Sequence, residues 1–453
     1  MRNSEHKQLE LLSLHPAQVL VMGFALVIFI GAIILNLPIA SKNGESIGFI
    51  SALFTATSAV CVTGLVVVDT ATHWTIFGQT VILLLIQIGG LGFMTITTLI
   101  AFILGKRISL RERLVMQEAL NQFNIAGVVR LTRYVLITTF TIEGIAALIL
   151  STRFIPKLGI LKGIGFGIFH AISAFCNAGF DLIGEFRSLT PYVEDPLINF
   201  VIGFLIIIGG LGFAVVLEII QRKRFKKFSL HTKLVLSITA ILLVLGFLVI
   251  LLLEYNNPKT MGGLSIKGKL LSAMFHSITP RTAGFNTLPT DKLTMTSIFF
   301  TIILMFIGGS PAGTAGGVKT TTAGVLLWTI ISEIRGKADT EVFKKRIPRE
   351  IISRSLAIVG LAGTLVVLVT MLLSTTENGH SFLEIFFEVV SAFGTVGLSM
   401  GITPDLTEIG RILITITMFA GRVGPLTVAL ALASKKQKNI GKYKYPEEKV
   451  IVG

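Results

Sequence analysis

Long hydrophobic stretches alternate with short polar ones along almost the whole chain of 453 residues. Apolar runs of about 20 residues, enough to cross a hydrocarbon core about 30 Å thick, occur eight times. They begin near Pro16, Thr75, Arg133, Pro196, Lys233, Thr296, Leu356 and Arg411. This pattern predicts an all-α integral membrane protein with eight transmembrane helices.

A short phrase that ends in glycine follows the first, third, fifth and seventh of these runs. Its four copies are Phe54–Leu65, Phe169–Phe180, Met274–Phe285 and Phe387–Leu398. Their glycines, Gly64, Gly179, Gly284 and Gly397, are 115, 105 and 113 residues apart. Similarity at a spacing of roughly a quarter of the chain is the signature of a repeated architecture. We therefore expect four pseudo-symmetric repeats.

The helix predicted within each copy is too short to cross a bilayer. The four helices cover about 48–60, 165–175, 270–279 and 382–393, against the roughly 20 residues that a span needs. Non-helical backbone at membrane depth is tolerated only where protein buries it or where it faces a water-filled cavity. We expect four re-entrant pore helices, each between two spans, with the segments that follow them meeting at a central pore.

The segments that end in glycine are predicted to form an ion filter, because a ring of backbone carbonyl oxygens can replace the hydration shell of a monovalent cation. Glycine adopts the required dihedral angles at low cost, and the C-terminal ends of the pore helices add a favourable potential for cations. The predicted filter residues are Val62, Thr63, Gly64, Asn177, Ala178, Gly179, Thr282, Ala283, Gly284, Thr395, Val396 and Gly397. Asp181 and Glu388 are expected near the outer mouth, with solvated or capping carboxylates as the alternative.

The span after the third phrase differs from the others. The IGGLGF segment at 88–93 recurs at 208–213 and is typical of close helix packing. The stretch 308–322, by contrast, holds Pro311 among five glycines, which no continuous helix would keep. We expect a broken helix whose loop gates the pore. The predicted gate residues are Gly308, Gly309, Ser310, Gly313, Thr314, Gly316, Gly317, Lys319 and Arg422.

Lys319 and Arg422 place positive charge inside apolar segments, where ionisable groups are costly and usually functional. We expect them to form an electrostatic barrier below the filter, or to pair with Glu143 or another carboxylate. A Lys319 that snorkels from the end of its span is the alternative reading.

Several other polar side chains near the filter are expected to be structural. His170 and His276 lack the neighbours that a metal site needs, so we expect them to pack or form hydrogen bonds. Arg281 is expected to brace the filter from behind. A disulfide between Cys61 and Cys176 is not expected.

Composition and charge support a membrane location. The chain is 52% hydrophobic and only 14% charged, with a mean hydropathy of +0.80, which excludes an ordinary water-soluble globule. The net charge of +15 would suggest nucleic acid binding in a soluble protein. Most Lys and Arg, however, lie in alternate loops and at both termini, which the positive-inside rule assigns to the cytoplasm. These basic loops are expected to contact anionic lipid, or to dock a cytosolic partner.

The predicted organisation follows the four repeats. It comprises a cytoplasmic N-terminus (1–14), repeat 1 (15–105), a cytoplasmic loop with repeat 2 (106–222), repeat 3 with the broken helix (223–335), repeat 4 (336–434) and a basic cytoplasmic C-terminus (435–453).

The fourfold arrangement, the filter glycines, the phrase from Ser277 to Thr287 and the glycine-rich break at 308–317 resemble the Trk/Ktr/HKT superfamily of potassium transporters. The resemblance covers about 15–435 and is strongest to bacterial Ktr membrane subunits. It implies K⁺ uptake through a pseudo-fourfold pore, K⁺ selectivity from the four glycines, and Na⁺ dependence. It also implies a gating loop at 308–317 and a path narrowed by Arg422.

The same resemblance implies a homodimer in the bacterial plasma membrane, seated on a cytosolic ring of nucleotide-binding regulatory subunits. It implies no covalently bound cofactor and no metal beyond the K⁺ in the filter, and nucleic acid is not expected as a partner.

Three classes of function are compatible with these features. Channel-like K⁺ uptake is favoured, and a symporter coupled to Na⁺ or H⁺ is second, with Glu143 the main candidate for coupling. An ion-binding subunit of an ATP-driven pump, or a membrane enzyme, is third. The spans hold no Ser/His/Asp or metal-ligand cluster in sequence, so we expect no enzymatic activity.

Overall fold

The computed structural model of the protein describes residues 16–103, 108, 110–119, 127–433 and 448. Within these residues the chain is almost entirely helical. The predicted terminal segments 1–14 and 435–453 lie outside the described residues, apart from residue 448, as does part of the basic loop at 106–126.

The helices follow one another in four similar sets. The first set is α1 (Pro16–Leu35), α2 (Phe49–Val60), α3 (Thr70–His73), α4 (Ile76–Leu91) and α5 (Phe93–Ile103), followed by the linking helix α6 (Leu110–Ala119). The second set is α7 (Val128–Leu158), α8 (Ile160–Phe175), α9 (Pro196–Leu211) and α10 (Phe213–Arg222). The third set is α11 (Leu230–Glu254), α12 (Ile266–Ile278), α13 (Met295–Phe306) and α14 (Thr320–Ile334). The fourth set is α15 (Arg349–Thr376), α16 (Phe382–Gly394), α17 (Glu408–Val423) and α18 (Pro425–Ala433).

The connections add little regular structure. A two-stranded antiparallel hairpin, β1 (Glu341–Val342) with β2 (Lys345–Arg346), precedes α15. Single turns of 3₁₀ helix lie at Pro38–Ala40, Thr190–Tyr192, Phe225–Lys227, Thr290–Lys292 and Thr403–Asp405.

Each set contains three kinds of helix, named here by their shape. The long helices are α1, α7, α11 and α15; the short helices are α2, α8, α12 and α16; the broken helices are α4–α5, α9–α10, α13–α14 and α17–α18. Every broken helix starts at a side chain that accepts a hydrogen bond from an N–H of the first turn, which fixes where the helix begins. These N-caps are Thr75, Asp195, Thr294 and Thr407.

The four long helices are the ones that could cross a membrane on length and composition. Among the described residues they alone pass as single helices, and α9–α10, bent by 98° at Gly212, would be a fifth span. Large apolar side chains such as Leu26, Leu252 and Met371 are 60–78% exposed on the long helices, as expected of surfaces that face lipid. The all-α membrane class is confirmed, whereas the number of eight spans and the re-entrant nature of the short helices stay predictions.

The breaks in the broken helices are more numerous than the sequence suggested. The predicted interruption of the third is present, since α13 ends at Phe306 and α14 begins at Thr320. The expectation of uninterrupted runs after Thr75, Pro196 and Arg411 is wrong. These runs break at Gly92, Gly212 and Gly424, whose φ angles of +81°, +90° and +94° are incompatible with a continuous right-handed helix.

The four sets close into a ring in chain order. The broken helix of each set packs against the short helix of the next: α4 on α8, α9 on α12, α13 on α16, and finally α17 on α2. The short helices and the segments after them are largely buried, and Phe54, Phe169 and Phe387 belong to the main hydrophobic core. The four short helices are therefore linked into the ring through the broken helices of the preceding sets.

Candidate ion pathway

The four phrase glycines line a single cavity of about 460 Å³, together with the residues that follow each of them. We call this cavity the vestibule and the four glycines the glycine ring. Asp69, Asp181 and Asp291 also line the vestibule, so the expected position of Asp181 at a mouth agrees with the structure.

The glycine ring leaves no room for a side chain at any of its four positions. A Cβ atom on Gly64 would lie 2.5 Å from the carbonyl oxygen of Ala178. The corresponding distances are 2.7 Å from Gly179 to Ala283 and 2.6 Å from Gly284 to Val396, and a Cβ on Gly397 would overlap the Thr63 carbonyl. Each glycine thus meets the backbone of the next repeat, and the fourth meets the first. The twelve residues predicted for the filter are brought together.

The backbone before each glycine has an unusual and fourfold-repeated conformation. The residue two positions earlier has a positive φ in all four repeats, although none of the four is glycine. These residues are Val62 (+51°), Asn177 (+58°), Thr282 (+75°) and Thr395 (+49°). Such angles cost about 1–3 kcal/mol each and persist only where the surroundings enforce them. The ring glycines also have positive φ, so in each repeat two residues of positive φ flank one that is not among them.

Sequence analysis missed a hydroxyl group that holds each of these strands. Each copy of the phrase has a Phe at its start, or one residue later in the third copy: Phe54, Phe169, Phe275 and Phe387. The hydroxyl group lies four residues after this repeated Phe, at Ser58, Ser173, Thr279 and Ser391. In the first and fourth repeats the hydroxyl accepts from the N–H of the ring glycine, at 3.0 and 3.1 Å. In the second and third it donates to the carbonyl just after the glycine, at 2.7 and 2.5 Å. The constant offset from the Phe was a signal that could have identified it.

Glu388 does not lie at the mouth, and that expectation is wrong. Its side chain is fully buried on α16, and its carboxylate accepts hydrogen bonds from Ser399 (2.8 Å) and Thr403 (2.5 Å). Both hydroxyl residues line the vestibule. Glu388 therefore lies behind the wall of the vestibule, because its side chain faces residues 399–403 and not the open space.

The loop between α13 and α14, residues 307–319, fills the space on the other side of the glycine ring. Ser310 and Thr314 donate their backbone N–H groups to two carbonyls of the second IGGLGF segment, 2.8 and 3.1 Å away. Gly317 donates to the carbonyl of Gly421 at 3.3 Å, and the Ser310 hydroxyl lies 2.8 Å from that of Thr320. The predicted gate residues in this loop are Gly308, Gly309, Ser310, Gly313, Thr314, Gly316, Gly317 and Lys319. The loop thus ties three repeats together.

The two intramembrane cations bind backbone carbonyls. The Arg422 guanidinium donates to the carbonyls of Thr314, Gly89 (2.5 Å) and Gly90 (3.3 Å). Lys319 donates to the carbonyl of Ala315 at 2.5 Å. Arg422 therefore clamps the 307–319 loop to the first repeat.

The expected pairing of these cations with Glu143 is wrong. Neither Lys319 nor Arg422 lies within 4.0 Å of a carboxylate in the described part of the chain. The Glu143 carboxylate contacts Gln87 at 3.2 Å and the Cys176 thiol at 3.9 Å. Backbone carbonyls left free at the helix breaks accept hydrogen bonds from the cations and stabilise their charge in place of an acid.

A second cavity, of about 120 Å³, lies beside these cations. Gly90, Gly313, Lys319 and Arg422 contribute to its lining, and it shares no lining residue with the vestibule. The glycine ring lines the vestibule, whereas the 307–319 loop and Arg422 line the second cavity. The two predicted functional regions therefore line different cavities.

The remaining polar side chains near the filter behave as expected. His170 lies 2.8 Å from the carbonyl of Phe166 and His276 lies 3.2 Å from the hydroxyl of Thr301, so both serve as buried hydrogen-bonding groups. Arg281 is buried and donates to Thr239 on α11 at 3.3 Å, which places it behind the filter. Cys61 and Cys176 are buried free thiols.

Comparison with known proteins gives concordant results. A family model described as TrkH, a cation transport protein, matches residues 2–443. The chain is 49% identical over 438 residues to the Ktr system potassium uptake protein B of Bacillus subtilis, with 97% of each chain covered. It is 45% identical over 443 residues to the potassium/sodium uptake protein NtpJ of Enterococcus hirae, covering 97% of this chain and 98% of that one.

The fold has a counterpart among solved structures. The potassium transporter TrkH from Vibrio parahaemolyticus superimposes with a TM-score of 0.70 at 18% identity, covering 92% of this chain and 84% of that one. At this identity the structural match shows the fold alone. Membership of the family is shown by the family model and by the relatives of 49% and 45% identity. The resemblance read from the sequence is confirmed: the chain belongs to the TrkH family of cation transport proteins.

Proposed function

We propose that this protein takes up K⁺ across a bacterial plasma membrane through a channel-like path whose selectivity filter is the glycine ring. The observation that carries the proposal is the closed ring of four glycines at the wall of the vestibule, each packed against the backbone of the next repeat. Carbonyl oxygens arranged around such a ring can replace the water of a monovalent cation. The relatives named as potassium uptake proteins support K⁺ as the ion.

The filter in this proposal consists of the three residues up to and including each ring glycine. The negative C-terminal ends of the four short helices face it and favour a cation at the centre. Asp69, Asp181 and Asp291 line the vestibule and raise the local cation concentration.

The gate in this proposal is the 307–319 loop together with Arg422. The loop is held by a handful of hydrogen bonds, each worth about 0.5–1.5 kcal/mol net. Displacing it would open the way from the glycine ring to the second cavity. A positively charged Arg422 would meanwhile oppose the passage of cations until it moves.

The proposed membrane topology, oligomeric state and partners are those implied by the resemblance to the family. The chain has eight spans with four re-entrant short helices, both termini lie in the cytoplasm, and it works as a homodimer on a ring of cytosolic nucleotide-binding subunits. The exposed basic stretch at 222–227 offers a surface for such a partner or for anionic lipid headgroups.

The test is ion flux into liposomes that contain the purified protein. With an imposed inside-negative potential and no Na⁺ gradient, we expect uptake of ⁸⁶Rb⁺ that external K⁺ suppresses and that follows the applied potential. Protein-free liposomes are the control. Absence of potential-driven ⁸⁶Rb⁺ uptake by intact, monodisperse protein would refute the channel-like path.

Symport of K⁺ with Na⁺ is the second candidate, because the relative from Enterococcus hirae is named a potassium/sodium uptake protein. Glu143, one of several buried carboxylates, is the candidate for coupling. In the same liposomes, a coupled transporter would accumulate ⁸⁶Rb⁺ when only a Na⁺ gradient is imposed and the potential is clamped at zero. A channel that merely requires Na⁺ would not. An ion-binding subunit of an ATP-driven pump would need ATP and a further partner for any flux.

A further inference from the structure

One position of the short helices differs in chemistry among the four repeats, although it lies at the same place in each. It is the residue that follows the repeated Phe: Thr55, His170, His276 and Glu388. All four side chains are buried. Only the fourth repeat has a carboxyl group there, so the surroundings of the glycine ring are not electrically symmetric.

Glu388 binds directly to the chain that leaves the ring. Its two carboxylate oxygens accept from Ser399 at 2.8 Å and from Thr403 at 2.5 Å, and the two hydroxyl oxygens are 3.1 Å apart. Ser399 is two residues beyond Gly397. The carboxyl group is therefore linked to the ring glycine through a single side chain and a short stretch of backbone.

The equivalent residues of the other repeats make weaker or different contacts. His170 reaches the N–H of Leu182, three residues beyond Gly179, at 3.4 Å. His276 contacts the hydroxyl of Thr301 on α13, and Thr55 donates to its own helix. Only in the fourth repeat do two hydrogen bonds from this position fix the segment after the glycine.

The surroundings of Glu388 suit it to a positioning role. No Lys, Arg or His lies within 4.0 Å of its carboxylate in the described residues. Its partners are the hydroxyl groups of Ser399 and Thr403. The carboxyl group therefore acts through hydrogen bonds, which fix its orientation and hold the segment that carries the two hydroxyls.

Resting on the proposed function, we propose that Glu388 is a positioning residue for ion selection: through Ser399 and Thr403 it sets the place of the Gly397 carbonyl and so the preference of the ring among monovalent cations. A ring that fits K⁺ must hold its oxygens apart against collapse onto the smaller Na⁺. Anchoring one of the four strands from behind opposes that collapse.

The experiment measures Na⁺ inhibition of ⁸⁶Rb⁺ uptake, with KM and maximal rate, in the purified full-length protein in liposomes. Glu388→Ala should lower the preference for Rb⁺ over Na⁺ about tenfold, the factor that corresponds to about 1.4 kcal/mol. Glu388→Gln keeps one acceptor oxygen and should have a smaller effect. Ser399→Ala, which leaves the carboxyl group in place, should shift the preference in the same direction.

Glu377→Gln is the matched control. Glu377 is also a buried glutamate of the fourth repeat, and it accepts from the hydroxyl and N–H of Thr407 at 2.6 and 3.1 Å to cap α17. Its removal should cost comparable stability while leaving the Rb⁺/Na⁺ preference unchanged. A structural loss alone would lower the maximal rate of both variants equally.

The outcomes separate this proposal from the proposed function. If the unmodified protein conducts ⁸⁶Rb⁺ and Glu388→Ala keeps its ion preference, or if Glu377→Gln changes that preference as much, the role of Glu388 is refuted and K⁺ uptake stands. If the unmodified protein conducts no ⁸⁶Rb⁺, the proposed function fails first. Should Glu388→Ala not fold, Glu388→Gln and Ser399→Ala decide, and unchanged preference in both would overturn the proposal.

Discussion

All four repeats contribute to the glycine ring and also to a neighbouring region, which we call the layer beneath the ring. This layer consists of the breaks in the broken helices, the 307–319 loop and Arg422. Only the ring has the same structure in all four repeats. In the ring every repeat contributes a glycine, a left-handed residue two positions earlier, and a hydroxyl group that ties the strand down. In the layer beneath, three repeats contribute a single-glycine break, the third contributes the 307–319 loop, and the fourth alone adds Arg422.

The difference fits two different physical tasks. Removing water from a cation requires oxygen atoms on all sides at similar distances, and four equal strands supply them. Opening and closing requires one element that can move without dismantling the rest, and a loop held by a few hydrogen bonds is such an element. Under the proposed function, the symmetric region is the filter and the asymmetric region is the gate.

The largest expected effect breaks the symmetry of the ring. A side chain at Gly64 would meet the carbonyl of Ala178, and the φ of +91° disfavours any residue other than glycine. Gly64→Ser should reduce the preference for Rb⁺ over Na⁺ by at least about tenfold, or about 1.4 kcal/mol, in competitive uptake assays. Gly144→Ser on α7, where a Cβ would meet no atom within 4 Å, is the control. Unchanged selectivity in Gly64→Ser would count against the filter.

The second prediction removes the asymmetric element. Deleting residues 313–316 shortens the 307–319 loop and takes away the carbonyl of Thr314 that Arg422 binds. Basal ⁸⁶Rb⁺ flux through the protein in liposomes should rise severalfold, because the barrier beneath the ring is gone. The Rb⁺/Na⁺ preference, measured in the same preparation, should be retained since the ring is untouched. Flux equal to that of the unmodified protein would show that the loop does not gate.

The third prediction separates the charge of Arg422 from its geometry. Arg422→Gln removes a charge and hydrogen bonds of a kind worth about 1.5–3 kcal/mol each, so we expect basal flux to rise about tenfold. Arg422→Lys keeps the charge but cannot bridge Gly89 and Thr314 in the manner of a guanidinium. Flux as low in the Lys variant as in the unmodified protein would show that charge alone suffices. Low flux in both variants would remove Arg422 from the gate.

The smallest expected effect concerns the anchoring of the loop. Ser310→Ala removes the hydrogen bond to Thr320, worth about 0.5–1.5 kcal/mol, and basal flux should rise about threefold. Ser355→Ala is a suitable control, because that hydroxyl bonds only within its own helix, to Ile351. An equal change in both variants would point to a general loss of stability.

The features that sequence reveals are those written in residue type and spacing. Hydropathy predicted the membrane class. The repeated phrase predicted that Gly64 and its three counterparts lie together, and the glycines around Pro311 predicted the interruption of the third broken helix. The single-glycine breaks were missed because a segment such as IGGLGF is also what a tightly packed continuous helix contains. Residues such as Val62 and Thr395 have positive φ angles that only tertiary contacts can impose.

Interactions with the backbone were the hardest to foresee. Arg422 and Lys319 were expected to find acidic side chains, whereas they bind carbonyls that exist as free acceptors only because helices break nearby. Because every residue has a backbone carbonyl, such partners cannot be recognised from residue types in the sequence. Glu388 was misplaced for a related reason, since a carboxyl group satisfied by two nearby hydroxyls can be buried without any cation.

The junction between the last and first quarters of the chain has a consequence for biosynthesis. Gly397 abuts Thr63, and Arg411 donates to Ser51 across 360 positions of sequence at 3.0 Å. A ribosome delivers the beginning of the polypeptide before its end, so these contacts form only after the fourth set of helices has been made. Closure of the glycine ring is therefore a late event of biosynthesis, and a nascent product that stops before α16 would lack one of its four sides.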